Sequence, residues 1–167
     1  MTSTSPTLLW LRRDLRLSDH PGWNAALQTG TPVIPVFILD PFIEASYGSA
    51  PKWRLGESLN TLTEDLQSKG SRLILRRGEA KAELDALIRE TGAKQVIWSR
   101  QYEADAIVRD SAIKTHLKDS GIEAKSVNAS LLFEPWTVET KTGGLYRVYT
   151  PFWKSVRETD PGSPLKA

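Results

Sequence analysis

The stretch Leu8-Leu9-Trp10-Leu11-Arg12-Arg13-Asp14-Leu15-Arg16-Leu17-Ser18-Asp19 decides how this 167-residue chain is read. Four apolar residues come first, a run of the length of a buried strand. Three arginines and an aspartate then crowd into five positions. Ser18 and Asp19 precede Pro21, a helix-start signal, and Trp23, Ala26 and Leu27 continue at helical spacing. A strand, a charged loop and a helix follow one another. In open α/β sheets, ligands bind at the carboxyl ends of strands, where this loop lies. Two readings of the loop stand side by side: its arginines pair with carboxylates and hold its shape, or they reach a ligand.

Working outward, the same punctuation recurs. Gly30, Gly70, Gly92 and Gly121 each follow a helix-like stretch and precede an apolar run. Helix, glycine and strand in alternation predict an α/β fold: a doubly wound, Rossmann-like, five-stranded parallel sheet with helices on both faces. Strands are expected at 7–11, 33–39, 73–75, 96–99 and 124–127. Helices are expected at 21–29, 52–69, 80–91 and 105–120. Leu55, Leu59, Leu62 and Leu66 share one helical face and read as core. Pro35 weakens the second strand, because proline cannot donate to a ladder.

Residues 1–6 read as a loose polar tail and residues 7–135 as the α/β domain. Residues 136–154 read as a hairpin turning at Gly143-Gly144, followed by an aromatic exit segment. Residues 155–167, with Asp160-Pro161-Gly162-Ser163-Pro164, read as the start of a linker.

Composition excludes several classes. With no cysteine, disulfides and thiolate metal sites are impossible, and two histidines make no histidine-rich metal site. No apolar run is long enough for a membrane span, and the expected compartment is the cytoplasm. A net charge of +2 gives no electrostatic case for nucleic-acid binding. No glycine-rich dinucleotide fingerprint and no Walker loop follow the first strand. Ser58 and Ser99 have no histidine near them in sequence to activate them, and no catalytic set is found. His20 and His116 read as surface or capping residues.

Binding is better supported. Arg12, Arg13 and Asp14 follow the first strand, Asp40 and Pro41 the second, and Arg100, Gln101, Tyr102 and Glu103 the fourth. Lys52, Trp53 and Arg54 open the second predicted helix near the same rim. A planar heterocycle with polar edges suits such a rim. The competing reading makes Asp40 a turn cap, gives Glu103 and Asp105 to a helix start, and pairs the arginines with them.

Trp10 to Asp19 resembles the opening signature W-x-R-x-D-L-R-x-x-D of DNA photolyases and cryptochromes. Leu39-Asp40-Pro41, Ala50-Pro51-Lys52-Trp53-Arg54, Gly70-Ser71-Arg72-Leu73, Gln101-Tyr102-Glu103 with Arg109-Asp110, and the run from Tyr146 to Lys154 are further resemblances in family order. The resemblance implies the N-terminal α/β domain of a flavoprotein. In that family this domain holds a light-harvesting chromophore, either methenyl-folate, 8-hydroxy-deazaflavin or flavin mononucleotide. A separate C-terminal helical domain holds flavin adenine dinucleotide (FAD), binds damaged DNA and splits pyrimidine dimers in light.

No FAD-domain motif occurs in this chain, so the resemblance implies an inactive antenna portion of a photolyase. Its expected partners are the helical domain of the same protein and, through it, DNA; it is expected to be a monomer. The cofactor-binding positions carried over are Arg12, Asp14, Leu39, Lys52, Arg54, Gln101 and Arg109. Ala106 stands where folate-binding members of the bacterial type have an acidic residue. A deazaflavin or flavin mononucleotide is therefore expected over folate, and the cations suit an anionic tail. The alternatives are a cryptochrome light sensor and a free-standing nucleotide-binding domain.

Overall fold

The structure is a computed structural model and describes residues 5–165. Part of the predicted N-terminal tail lies outside them. Five strands, β1 (Thr7–Leu11), β2 (Val33–Leu39), β3 (Ile74–Arg77), β4 (Gln95–Ser99) and β5 (Glu123–Val127), form one parallel sheet in the order β3-β2-β1-β4-β5. The chain winds outward from β1 to β3, then crosses over to β4 and β5. The helices therefore fall on two faces. On one, α1 (Pro21–Leu27) and α3 (Ser49–Ser68) cover Leu9, Leu11, Phe37 and Ile97. On the other, α4 (Ala80–Thr91) and α5 (Ala104–Asp119) cover Leu8, Trp10, Val36, Ile38, Val96 and Trp98. β1 is buried along its whole length, as a central strand covered twice must be.

The glycine punctuation works as expected. Gly92 at φ 68° ends α4 and donates its N–H to Ile88, a left-handed cap that a β-carbon would strain. Pro35 keeps its place in β2, opposite Leu9 on β1. β3 begins pairing only at Val36, so the proline sits where β2 has no neighbour on that side.

Four expectations change. The strand expected at 73–75 is Ile74–Arg77: Leu73 packs into the α3 face, while Arg76 and Arg77 continue an edge strand that a search for apolar runs misses. A short helix, α2 (Pro41–Ser46), lies where a loop was expected. Asp40 caps it by accepting from the Ile43 N–H at 2.9 Å, and six residues are too few to show a period. The hairpin at Gly143-Gly144 is only a turn, closed by Thr140 N–H to the Gly144 carbonyl, with no flanking strands. Its flanks are exposed and lack an apolar alternation that would bury one face. The aromatic exit is a helix, α6 (Tyr149–Val156), on which Tyr149 and Trp153 stack.

Candidate functional site

The winding reverses between β1 and β4, and the charged loop after β1 opens there. Arg12 enters this crevice almost fully buried. Its guanidinium donates to the Ser99 carbonyl, to Gln101 Oε1 at 3.2 Å and to Asp110 Oδ2 at 2.6 Å. Arg109, one turn into α5, donates to the same Gln101 oxygen at 2.9 Å, to Asp40 Oδ2 at 3.0 Å and to Asp110 Oδ1. Both guanidiniums lie over the Trp10 ring, at 4.7 and 5.6 Å from its centroid. Burial lowers the Arg12 pKa from its ordinary value and Asp110 opposes that fall. Three loops and two helix starts are thus tied by one network of two cations, two carboxylates and an amide.

Asp14 sits behind this network. Its Oδ1 accepts from the Arg12 backbone N–H at 2.9 Å; its Oδ2 accepts from the Ser99 hydroxyl and lies 2.8 Å from His20 Nε2. His20 is buried, which corrects its placement at the surface, and it is a cap as expected: Nδ1 accepts from the Trp23 N–H at 3.1 Å. That bond turns the Nε2 edge of the ring toward Asp14. Burial alone would raise the Asp14 carboxyl. The bond and the charge of His20, with bonds from Ser99 and the Arg12 backbone, outweigh burial and hold it well below the usual carboxylate range. Ser99 therefore does have a histidine nearby in space, but the aspartate stands between them. A serine nucleophile needs the imidazole against its hydroxyl, so this is a structural relay and not a catalytic triad.

A cavity of about 400 Å³ opens at the same crevice. Arg12, Arg13, Asp14 and residues 99–103 form one side, and Ser130 and Leu131 the other. The segment after β5 is pinned there by Glu134, which accepts from Arg100 at 2.8 Å and from the Tyr102 hydroxyl at 2.8 Å. Burial and the Glu134 carboxylate push the Tyr102 pKa up to about 12. Arg13 is paired with Glu103. The Nε atoms of Arg12 and Arg100 are buried and have no acceptor among the described residues. Both residues line this cavity. A planar ring fits the cavity on size.

The predicted positions divide. Arg12, Asp14 and Gln101 line the switch-point cavity, and Arg109 is bonded to Gln101 behind it. Leu39 and Lys52 line a separate groove of about 470 Å³ between α3 and β3, with Phe37, Ile43 and Leu75. Arg54 is exposed on α3 and lines neither cavity. Asp110, Ser99, His20, Glu134 and Leu131 were not among the predicted positions. Asp110 had a signal, since it follows Arg109 directly. Glu134 and Leu131 had none, because only the fold brings the segment after β5 back over β4. Ala106 is buried on α5, as are Ile113 and Leu117, and is not among the residues lining the cavity.

Known proteins share this architecture. Residues 7–167 match the DNA photolyase family model. A deoxyribodipyrimidine photo-lyase of Agrobacterium fabrum is 42% identical, with 98% of this chain and 35% of that protein covered. Cryptochrome-1 of Arabidopsis thaliana is 37% identical over 95% of this chain and 24% of its own length. Among solved structures, a bacterial class III photolyase from Agrobacterium tumefaciens superposes with a TM-score of 0.93 at 42% identity, over 99% of this chain and 34% of that one. An archaeal photolyase from Sulfolobus tokodaii, solved with two FAD molecules, superposes with a TM-score of 0.78 at 31% identity, covering 96% and 36%. The chain spans about a quarter to a third of the length of these relatives. No described helix is long and apolar enough to cross a membrane. By its strand order, its charged first loop and these matches, the chain belongs to the DNA photolyase family.

Proposed function

We propose that this chain is the light-harvesting portion of a photolyase and holds an antenna chromophore in the cavity between β1 and β4. The observation that carries this reading is the cavity itself: it lies at the topological switch point, lined by Arg12, Arg13, Gln101 and Tyr102. Gln101, fixed between Arg12 and Arg109, would hold the loop that forms the rim. The chromophore supplies absorption, and the chain supplies orientation and shelter from water.

The whole protein would then use this light for FAD-driven splitting of pyrimidine dimers, with FAD and DNA on a further helical domain. A cryptochrome light sensor is the second reading, supported by the Arabidopsis relative. Residues 7–135 would form the antenna domain, and residues 136–167 the approach to the helical one.

The expectation of a deazaflavin or flavin mononucleotide rested on Ala106 and on free cations. Ala106 is buried and does not line the cavity, and Arg12, Arg13, Arg100 and Arg109 are each paired with a carboxylate. The proposal is therefore for a planar heteroaromatic ring as a class. Fluorescence titration with methenyl-folate, 8-hydroxy-deazaflavin and flavin mononucleotide tests it. At least one should bind, and Gln101→Ala should weaken it roughly tenfold, the worth of a hydrogen bond to a charged group. Unchanged binding in that variant removes the site. Alone, the chain is expected to leave dimers in illuminated DNA intact.

A further inference from the structure

We infer that Asp19 is a positioning residue, a clasp that ties the segment after α6 to the charged loop after β1 and so sets the path by which the chain leaves the sheet. Asp19 closes the stretch from which the fold was read, where Ser18 and Asp19 signalled a helix start. The structure gives that cap to His20, and the Asp19 carboxylate turns instead to a partner 146 residues away. Its Oδ1 accepts from the Leu165 N–H at 3.0 Å, and the Asp19 N–H donates to the Leu165 carbonyl at 3.2 Å. Two opposed bonds to one residue fix direction as well as position.

Asp19 holds this pose against its own backbone preference. Its φ of 47° is the only positive value at a non-glycine among the described residues, a conformation that persists where the surroundings enforce it. Arg16 enforces it: Nε and Nη2 donate to the Asp19 carbonyl at 3.2 and 2.8 Å, and Nη2 also reaches the Ala129 carbonyl at 3.1 Å. Ala129 precedes Ser130 and Leu131, which wall the switch-point cavity opposite Arg12, Arg13 and Asp14. Arg16 and Asp19 thus join three stretches: the charged loop, the wall after β5 and the exit segment. Asp19 and Leu165 are both exposed, so water competes for their bonds and the clasp can open. The clasp does not depend on what the cavity binds. On the antenna reading it would fix how the approach to the helical domain sits relative to the ring, and transfer of excitation falls steeply with that distance.

The chain has no cysteine, so two introduced ones take spin labels without competition. Ser163→Cys reports the exit segment, and Glu57→Cys, exposed on α3, reports the body of the domain. Pulsed dipolar spectroscopy should give one narrow distance distribution, and Asp19→Ala should broaden it several-fold. Asp19→Asn should restore it, because the amide oxygen accepts the same bond and asparagine tolerates the same φ. Amide exchange followed by nuclear magnetic resonance should be roughly tenfold faster at Leu165 in Asp19→Ala, the worth of one hydrogen bond, and unchanged in β1 and β4. Asp19→Gly keeps the positive φ and removes the carboxylate; it should match Asp19→Ala, and it carries the test where the alanine variant does not fold. A broad distribution in the unmodified chain, a Leu165 amide there exchanging as in a free peptide, an Asp19→Gly distribution as narrow as the unmodified one, or no rescue by Asp19→Asn overturns the inference. No chromophore enters these measurements, so their failure leaves the proposed function standing, and a failure of chromophores to bind leaves the clasp standing.

Discussion

Two regions flank the segment after β5, and they differ in what they leave unsatisfied. On one side, the switch-point network is buried and nearly closed on itself: Arg12, Asp14, Asp40 and Ser99 are each at most 5% exposed, and almost every charge has a partner. On the other side lies an apolar groove of about 660 Å³ under α6, walled by Leu131, Phe133, Tyr146, Phe152 and Val156. Around it Leu132, Leu145, Tyr149 and Trp136 stand 76, 69, 70 and 58% exposed. A monomer rarely leaves that much contiguous apolar surface without a use. The charges of the polar region are met almost wholly by neighbouring groups, whereas the apolar face is uncovered among the described residues. We propose that the helical domain of the full-length protein supplies it.

The largest expected effect falls on the buried side. Asp110→Ala removes the carboxylate that faces buried Arg12 and one of the two that face Arg109, and breaking a buried pair costs about 3–5 kcal/mol. Urea unfolding should show that loss; a change under about 1 kcal/mol would mean the network is solvated.

Asp14 gives the next effect. Its folded pKa lies below its unfolded value, near 4, so the unfolded chain binds the extra proton. Stability from this group is fully present above about pH 5 and drains away as pH falls toward and below about 2, by roughly 2 kcal/mol in all. Acid titration of unfolding stability should show this limb in the unmodified chain. Asp14→Asn should flatten it, and an equally steep limb in the variant assigns it to other carboxylates.

Tyr102→Phe removes the bond from the pocket rim to Glu134 and should cost about 1 kcal/mol, by the same unfolding measurement. Tyr149→Ser or Trp153→Ser, on the apolar side, should change the stability of the isolated chain within about 0.5 kcal/mol, by the same unfolding measurement. A loss as large as that of Asp110→Ala would erase the contrast between the two regions.

Much of the fold was legible because it depends on local patterns. The apolar runs of β1, β2 and β4, the leucines of α3 and the four helix-ending glycines carry their own signals within a few residues. What was missed depends on partners far away in sequence. Edge strand β3 contains two arginines, and α2 is a single capped turn and a half. α6 is an amphipathic helix of aromatic residues that showed no helical period in its surroundings. At the site, the charged loop was visible at once, but its two readings could not be parted. The structure favours shape: Arg12 and Arg13 are spent on Asp110 and Glu103, and neither carboxylate lies within 85 residues of its arginine in sequence. Lys52 and Leu39 lie near the rim in sequence logic, yet the packing of α3 against β3 draws them to another groove.

The most direct measurement is a crystal structure of the chain with whichever chromophore binds it in titration. Ring density is expected in the cavity between the loop of Arg12 and Gln101 and the segment of Ser130 and Leu131. Density in the groove of Leu39 and Lys52, or beneath α6 with the switch-point cavity holding only solvent, contradicts the assignment.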